Sequence, residues 1–182
     1  MAKSSAADAP LVAVLADQAR LGILGVDALD AVAHSRLYVA ALASLTPGAQ
    51  VIDLGSGAGV PGLVIAWDRA DLVVTLVDGR RKRTDQLERL VRKLGLRDRV
   101  EVVWARVESL AGEYDAVVAR RFGPPASVLD AADRLVRANG IVVVSAAPDT
   151  RWDDTPGDWV QLPSPPAGLV VLRRSRSGSA HT

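Results

Sequence analysis

The stretch that most constrains this chain is Val51-Ile-Asp-Leu-Gly-Ser-Gly-Ala-Gly-Val-Pro-Gly62. An apolar run ends in an acid, glycine recurs at positions 55, 57 and 59, and a helical pattern starts at Leu63. That order describes a buried strand, a tight turn and a helix start. Glycine tolerates positive φ and offers no Cβ to an approaching ligand. Free N–H groups at a helix start favour electron-rich ligand groups. The stretch therefore predicts a nucleotide-like cofactor at the carboxyl end of the first strand of an α/β sheet.

The spacing narrows the choice of cofactor. A dinucleotide pattern, G-x-G-x-x-G, would need glycine at position 60, where this chain has Val60. No G-K-[ST] follows, which argues against a nucleoside triphosphatase. The spacing is instead D-x-G-x-G-x-G, beginning at Asp53. A second acid, Asp78, closes the next apolar run, Leu72-Val-Val-Thr-Leu-Val-Asp78. An acid at the end of a second strand can accept both hydroxyls of a ribose. Together these features resemble the cofactor loop of class I S-adenosylmethionine (AdoMet) methyltransferases. The resemblance implies that the turn packs against the methionine part of AdoMet. A turn that serves only strand–helix packing is the alternative, and Asp78-Gly79 can also be a simple turn.

Composition removes other chemistries. The chain of 182 residues has no cysteine and two histidines, His34 and His181. Disulfides, cysteine nucleophiles and cysteine-ligated metals are excluded, and no metal is expected. With 49% hydrophobic and 24% charged residues, a globular fold is expected. The net charge of +1 exerts no global pull on nucleic acid. No apolar run reaches the roughly 20 residues of a membrane span, and Met1-Ala-Lys-Ser-Ser-Ala-Ala-Asp8 lacks a signal-peptide core. The expectation is a cytoplasmic monomer.

Periodicity gives the organisation. Residues 1–9 are expected to be disordered. Apolar spacing predicts helices over 11–21 and 26–45, broken at Gly22 and Gly25. Strands are predicted over 50–54, 72–78, 100–104, 115–119 and 140–146. They alternate with helices over 61–69, 81–94 and 125–138. Gly95 and Gly140 are expected to cap helices. Residues 158–162 and 168–173 predict a final hairpin, in part antiparallel, and 175–182 form a basic tail expected to be flexible. The fold class is α/β: a Rossmann-like, doubly wound, mostly parallel sheet with N-terminal helices and a C-terminal β-hairpin. Residues 10–174 form one expected domain, divided into helices over 10–48 and a cofactor-binding core over 49–174.

Four stretches make the resemblance narrower. They are Asp53-Leu-Gly-Ser-Gly-Ala-Gly-Val-Pro-Gly62; Thr75-Leu-Val-Asp78 with Arg81-Lys-Arg-Thr84 and Leu94-Gly-Leu96; Trp104-Ala-Arg-Val-Glu108; and Tyr114-Asp-Ala-Val-Val-Ala-Arg-Arg-Phe122. With Leu21-Gly-Ile-Leu-Gly25 and His34, they resemble the bacterial small-subunit ribosomal RNA guanine-N7 methyltransferases, the glucose-inhibited division protein B family. The likeness runs from about residue 20 to 173. Three features depart from the family pattern: a shorter N-terminal helical region, Leu37-Tyr38 in place of a polar pair, and Ser145-Ala-Ala-Pro148 where the family has lysine-glycine.

The resemblance implies AdoMet as cofactor and ribosomal RNA or the small ribosomal subunit as partner. The cofactor set is Asp53, Gly55, Ser56, Gly57, Gly59, Pro61, Gly62, Asp78, Gly79, Arg106, Val107, Glu108 and Arg120. Asp53 either holds the loop or meets the cofactor's amino group. Arg106-Val107-Glu108 either meets adenine or starts a helix with a favourable acid. Arg120, Arg121 and Phe122 follow strand four, where the resemblance implies that they face the transferring methyl; Arg120 matches an arginine of the family, Arg121 replaces a small residue, and Phe122 either stacks on a base or packs in the core. Guanine N7 is unprotonated at neutral pH, so orientation contributes more than acid–base work. The cluster Arg80, Arg81, Lys82, Arg83, Arg89, Arg92, Lys93, Arg97 and Arg99 either grips phosphates or forms a solvated helix face. His34 and the tryptophans at 67, 104, 152 and 159 are expected mainly in packing. Two rival functions remain: a methyltransferase diverged to another RNA or a small molecule, and a noncatalytic AdoMet-binding scaffold.

Overall fold

The valine- and isoleucine-rich runs form the centre of a sheet whose two faces are both covered. The structure, a computed structural model, describes residues 6–145, 159–163 and 165–175. In chain order it comprises α1 (Ala9–Arg20), α2 (Ala28–Ala41), β1 (Gln50–Leu54), α3 (Gly62–Asp68), β2 (Val73–Asp78) and α4 (Arg81–Lys93). Then follow β3 (Val100–Trp104), β4 (Tyr114–Ala119), α5 (Pro125–Leu135), β5 (Val136–Ser145), β6 (Trp159–Gln161) and β7 (Leu169–Arg174). The sheet order is β3-β2-β1-β4-β5-β7-β6. β1 to β5 are parallel, and β7 runs antiparallel between β5 and β6, giving the expected hairpin.

Strand alternation sorts the core into two layers. Val51, Val74, Leu76, Ala116, Val118 and Val143 pack beneath α1 to α4. Ile52, Leu54, Val77, Val117 and Val142 face α5 and the chain over 105–110. Strand order reverses between β1 and β4, which opens a crevice at their carboxyl ends. The carboxyl ends of β1, β2 and β4 lie level there, since Leu54 pairs with both Val77 and Ala119.

Several boundaries differ from expectation for physical reasons. Residues 6–9 are ordered: Ala6–Asp8 form a 3₁₀ turn and Ala9 opens α1. The buried Asp8 accepts from Arg36 Nη2 at 2.8 Å, and Arg36 also binds Asp68 at 2.8 Å, tying the N-terminal segment to α2 and α3. Residues 1–5 and 176–182 lie outside the described residues. α2 is shorter than 26–45 because Asp27 caps it, accepting from Leu29 N–H at 2.8 Å. α5 stops at Leu135 rather than 138, and β5 begins at once, with Val136 opposite Tyr114. The register then shifts, so that Ile141 pairs with Ala116, and the intervening bulge places Asn139 at φ +64°.

Gly140 is therefore no helix cap. A Cβ there would lie 2.9 Å from the Asp115 carbonyl and 2.5 Å from Val136 Cγ1, so the bulge requires glycine for closeness. Gly95 does end α4 at φ +68°, with Leu96 N–H reaching back to Val91 O at 2.9 Å. Of the tryptophans, Trp159 is buried, Trp67 is half-buried and Trp104 on the edge strand is 56% exposed; Trp152 lies outside the described residues.

Candidate active site

Asp53 is the last residue but one of β1, and its side chain, 1% exposed, reaches the Gly62 N–H at the start of α3. One oxygen, Oδ2, accepts the Gly62 N–H at 3.0 Å; the other, Oδ1, has no hydrogen-bond partner among the described residues. Burial pushes this carboxyl up to about 7, against the opposing pull of the Gly62 N–H, the nearby Ser56 hydroxyl and the positive Arg120. Ser56 stabilises the same bend, its Oγ donating to Asp53 O at 2.9 Å and its N–H to Val77 O at 2.8 Å. Asp53 thus holds the loop and also keeps one acceptor in reserve.

Gly55, Gly57 and Gly59 all take positive φ, at 67°, 56° and 92°. Their surroundings differ. Gly55 and Gly57 lie at the surface of the turn, whereas Gly59, Pro61 and Gly62 are buried. A Cβ at Gly59 would lie 2.3 Å from Leu63 Cδ1, and one at Gly62 would lie 2.2 Å from Leu76 Cδ2. Of these residues, then, Gly55 and Gly57 present backbone toward the crevice, while Gly59 and Gly62 let α3 sit close on β2.

Asp78 closes the other side. Its Oδ2 accepts the Gly57 N–H at 3.1 Å and its Oδ1 the Arg80 N–H at 2.9 Å. The Arg80 guanidinium makes longer contacts of 3.2 and 3.4 Å. Burial pushes this carboxyl up, but the Arg80 and Gly57 donors outweigh it and hold it below the usual carboxylate range. Gly79 is exposed and faces the next loop, 3.7 Å from Ala105 O and 3.9 Å from Arg106 Cγ, both measured from where its Cβ would be. Val107–Ser109 there form a single 3₁₀ turn, with Val107 buried and Arg106 and Glu108 exposed. Arg134 on α5 fastens that turn, its Nη1 donating to the carbonyls of Val107, Glu108 and Leu110 at 3.0–3.1 Å.

The third wall follows β4. Phe122 lies against Gly55, with Cδ2 3.0 Å from a hypothetical Cβ, and also packs on the α5 side of the core. Arg120 is half-buried, and burial together with the adjacent Arg121 depresses its pKa. Tyr38 and Arg80 join the site although the sequence points to other roles for them, while Arg121 stands beside Arg120 as expected. Tyr38 is fully buried and donates to Ala119 O at 3.1 Å, and burial raises its hydroxyl to about 12. Arg80 binds Asp78, and Arg121 adopts φ +55°. No local pattern marks the roles of Tyr38 and Arg80. His34 packs edge-on to Tyr38 at 5.8 Å between ring centroids; burial, then Arg120 and Arg121, lower its pKa.

The basic cluster divides. Arg81 pairs with Asp85, and Arg99 with Asp98. Lys82 and Arg83 instead line a cleft of about 420 Å³ with Arg80, Gln86 and the linker residues Leu21, Gly22 and Ile23. Among the described residues, no group of acids or histidines could hold a metal ion, and no helix is long and apolar enough to cross a membrane.

Comparison with known proteins gives a consistent set of likenesses. The family described as rRNA small subunit methyltransferase G matches residues 20–150. A curated relative named ribosomal RNA small subunit methyltransferase G, from Rhizorhabdus wittichii, is 38% identical over 133 residues, covering 66% of this chain and 60% of its own length. This chain thus spans less than two thirds of that relative. Among solved structures, a putative methyltransferase from Escherichia coli is similar in fold, with a TM-score of 0.66 and 17% identity over 79% of this chain and 86% of the other. A SAM-dependent methyltransferase from Geobacter sulfurreducens, solved in complex with S-adenosyl-L-homocysteine, aligns with a TM-score of 0.53 and 25% identity over 62% of this chain and 47% of the other.

Proposed function

We propose, from the premise that this chain belongs to the rRNA small subunit methyltransferase G family, that it binds AdoMet and methylates guanine N7 in small-subunit ribosomal RNA. The observation that carries the cofactor is the buried Asp53 Oδ1, which has no partner among the described residues. A buried acceptor without a donor costs about 1–3 kcal/mol. A cationic amino group is the natural partner for it, and the amino group of AdoMet is one.

The other residues fit the same molecule. Gly55 and Gly57 leave their backbone bare, so the methionine part can lie against it. Asp78 stays ionised, and ribose hydroxyls can replace the long Arg80 guanidinium contacts while both backbone N–H donors stay in place. Exposed Gly79 and the 3₁₀ turn at Val107 leave an edge for adenine. Bound there, AdoMet supplies an electrophilic sulfonium methyl. The chain's task toward the acceptor is orientation, because guanine N7 already carries a free lone pair at neutral pH. We assign that orientation to Phe122, which lies against Gly55, and to Arg120, whose charge acts on Asp53. Lys82 and Arg83, in the cleft beside α4, supply charge for the RNA backbone.

Asp78→Ala is expected to weaken S-adenosylhomocysteine binding by about 1–3 kcal/mol, the cost of hydroxyls left unpaired. Calorimetric titration reads this directly, and unchanged affinity would remove Asp78 from the ribose site. The reaction itself is tested with radiolabelled AdoMet and small ribosomal subunits lacking N7-methylguanine. Label in the RNA that maps to a guanine N7 is the expected result. Binding of the cofactor without transfer to RNA would leave an AdoMet-binding protein with another acceptor.

A further inference from the structure

Arg121 sits in the left-handed region, at φ +55°. Only Asn139 among the other non-glycine residues described here has positive φ, and asparagine tolerates that region better than arginine does. The backbone has a local reason for this shape, since the Arg121 N–H donates to Ser145 Oγ at 3.3 Å. Glycine would make the same bond without strain. The conformation therefore does not call for arginine, and any reason for arginine lies in its side chain.

That side chain is exposed and, among the described residues, forms no ion pair. Arg36, Arg69, Arg80, Arg81, Arg99, Arg137 and Arg174 all pair with carboxylates. Arg120, its immediate neighbour, is half-buried and likewise has no ion pair. Two adjacent guanidinium groups repel, and their field adds to the effect of burial, the larger cause, in lowering the pKa of His34. They stand where β4 ends beside Asp53 and Gly55, with Phe122 on the turn. Among the described residues neither guanidinium has a salt-bridge partner, and Asp53 acts on Arg120 only through space, so positive charge is concentrated at the acceptor side of the crevice. A planar fork of donors suits the oxygens of a phosphate.

We propose that Arg121, with Arg120, grips a phosphodiester of the acceptor RNA next to the base presented for methylation. This rests on the reading of the chain as an RNA methyltransferase. Arg121 supplies the grip that sets which strand segment is accepted, and the strained backbone aims it.

The test compares the full chain with Arg121→Gly and Arg121→Lys. Methyl transfer to undermethylated small subunits is followed at several salt concentrations, alongside calorimetry with S-adenosylhomocysteine and thermal unfolding. Arg121→Gly is expected to unfold at the same temperature or higher and to bind S-adenosylhomocysteine unchanged. Its KM for subunits should rise about tenfold, with a smaller change in kcat, as for loss of one charge-assisted contact. The slope of log affinity against log salt should fall by about 0.7–0.9, one phosphate contact. Arg121→Lys should keep that slope while recovering only part of the KM. A wild-type KM and slope in Arg121→Gly would overturn the proposal. So would parallel loss of Tm and cofactor binding, which would make Arg121 structural. If the wild-type chain binds the cofactor but transfers nothing to RNA, the acceptor reading falls and takes this one with it. An active wild type with an unaffected Arg121→Gly removes only the grip.

Discussion

Gly62→Ala is expected to destabilise the fold by about 3 kcal/mol or more, at the upper end of what overpacking costs. The added Cβ would stand 2.2 Å from Leu76 Cδ2 and 2.6 Å from Asp53 Oδ2. Neither neighbour can retreat. Leu76 is fully buried in β2, and Asp53 is fixed by the same Gly62 N–H that the substitution would push away. Moving Asp53 also disturbs the acceptor proposed for the cofactor's amino group. A chain of this size loses about 2–4 °C of Tm per kcal/mol, so thermal unfolding should show a fall of roughly 6–12 °C. Gly57→Ala is the control. Its Cβ would meet nothing closer than Gly55 O at 3.6 Å, so its cost is the positive φ of 56°, about 1–2 kcal/mol. A loss in Gly62→Ala no larger than the control's would show that α3 and β2 can part to admit the methyl group, and that close packing does not make glycine necessary at 62.

This contrast also shows what the sequence could and could not convey. The strand–turn–helix at 51–62 was legible because three signals agree there: a buried apolar run, glycines at turn spacing, and a helical pattern after them. Which glycines face the crevice was not legible, since Gly55 and Gly59 look alike in sequence while one is exposed and the other lies under Leu63. The alternation of strands and helices was readable from periodicity as far as α5. There Val136 and Ile141 are both apolar, and nothing in the local pattern reveals a bulge between them. Its cause is distant in sequence: Asp115 on β4 takes Arg137 Nη2 at 2.9 Å, and Arg174 on β7 reaches Val136 O at 2.6 Å. Acids were readable as strand ends, but the partners of Asp78 were not, because Arg80 looked like one more cation on a solvated helix. Tyr38 departs from a polar pair of the family it resembles, and only the docking of α2 over the sheet explains its hydroxyl on Ala119 O.

Asp53→Asn is expected to stabilise the ligand-free chain increasingly as pH rises, while weakening its hold on AdoMet. The carboxyl's ordinary value of 3.8 is raised to about 7 in the fold, chiefly by burial. The native state therefore keeps the proton longer than the unfolded chain. The stability of the neutral form is complete below about pH 4 and is lost as pH rises through 7. Between pH 5.5 and pH 7 that loss is about 1.5 pH units at 1.36 kcal/mol each, or about 2 kcal/mol. Asparagine has no charge to bury, so its advantage over wild type should grow by that amount between pH 5.5 and 8.5, or roughly 4–8 °C in the Tm difference. The neighbouring groups do not blur the window. Asp78 is held low and stays ionised, Arg120 stays charged, and Tyr38, raised to about 12, stays protonated. His34 is lowered from 6.5 and titrates in both proteins alike. The amide can still accept the Gly62 N–H but cannot pair with a cationic amine as a carboxylate does, so calorimetry should show weaker binding in the same variant that melts later. A pH-independent Tm difference would mean that Asp53 is ionised throughout and already satisfied. Unchanged cofactor affinity would mean that the orphaned oxygen belongs to the fold and not to the ligand.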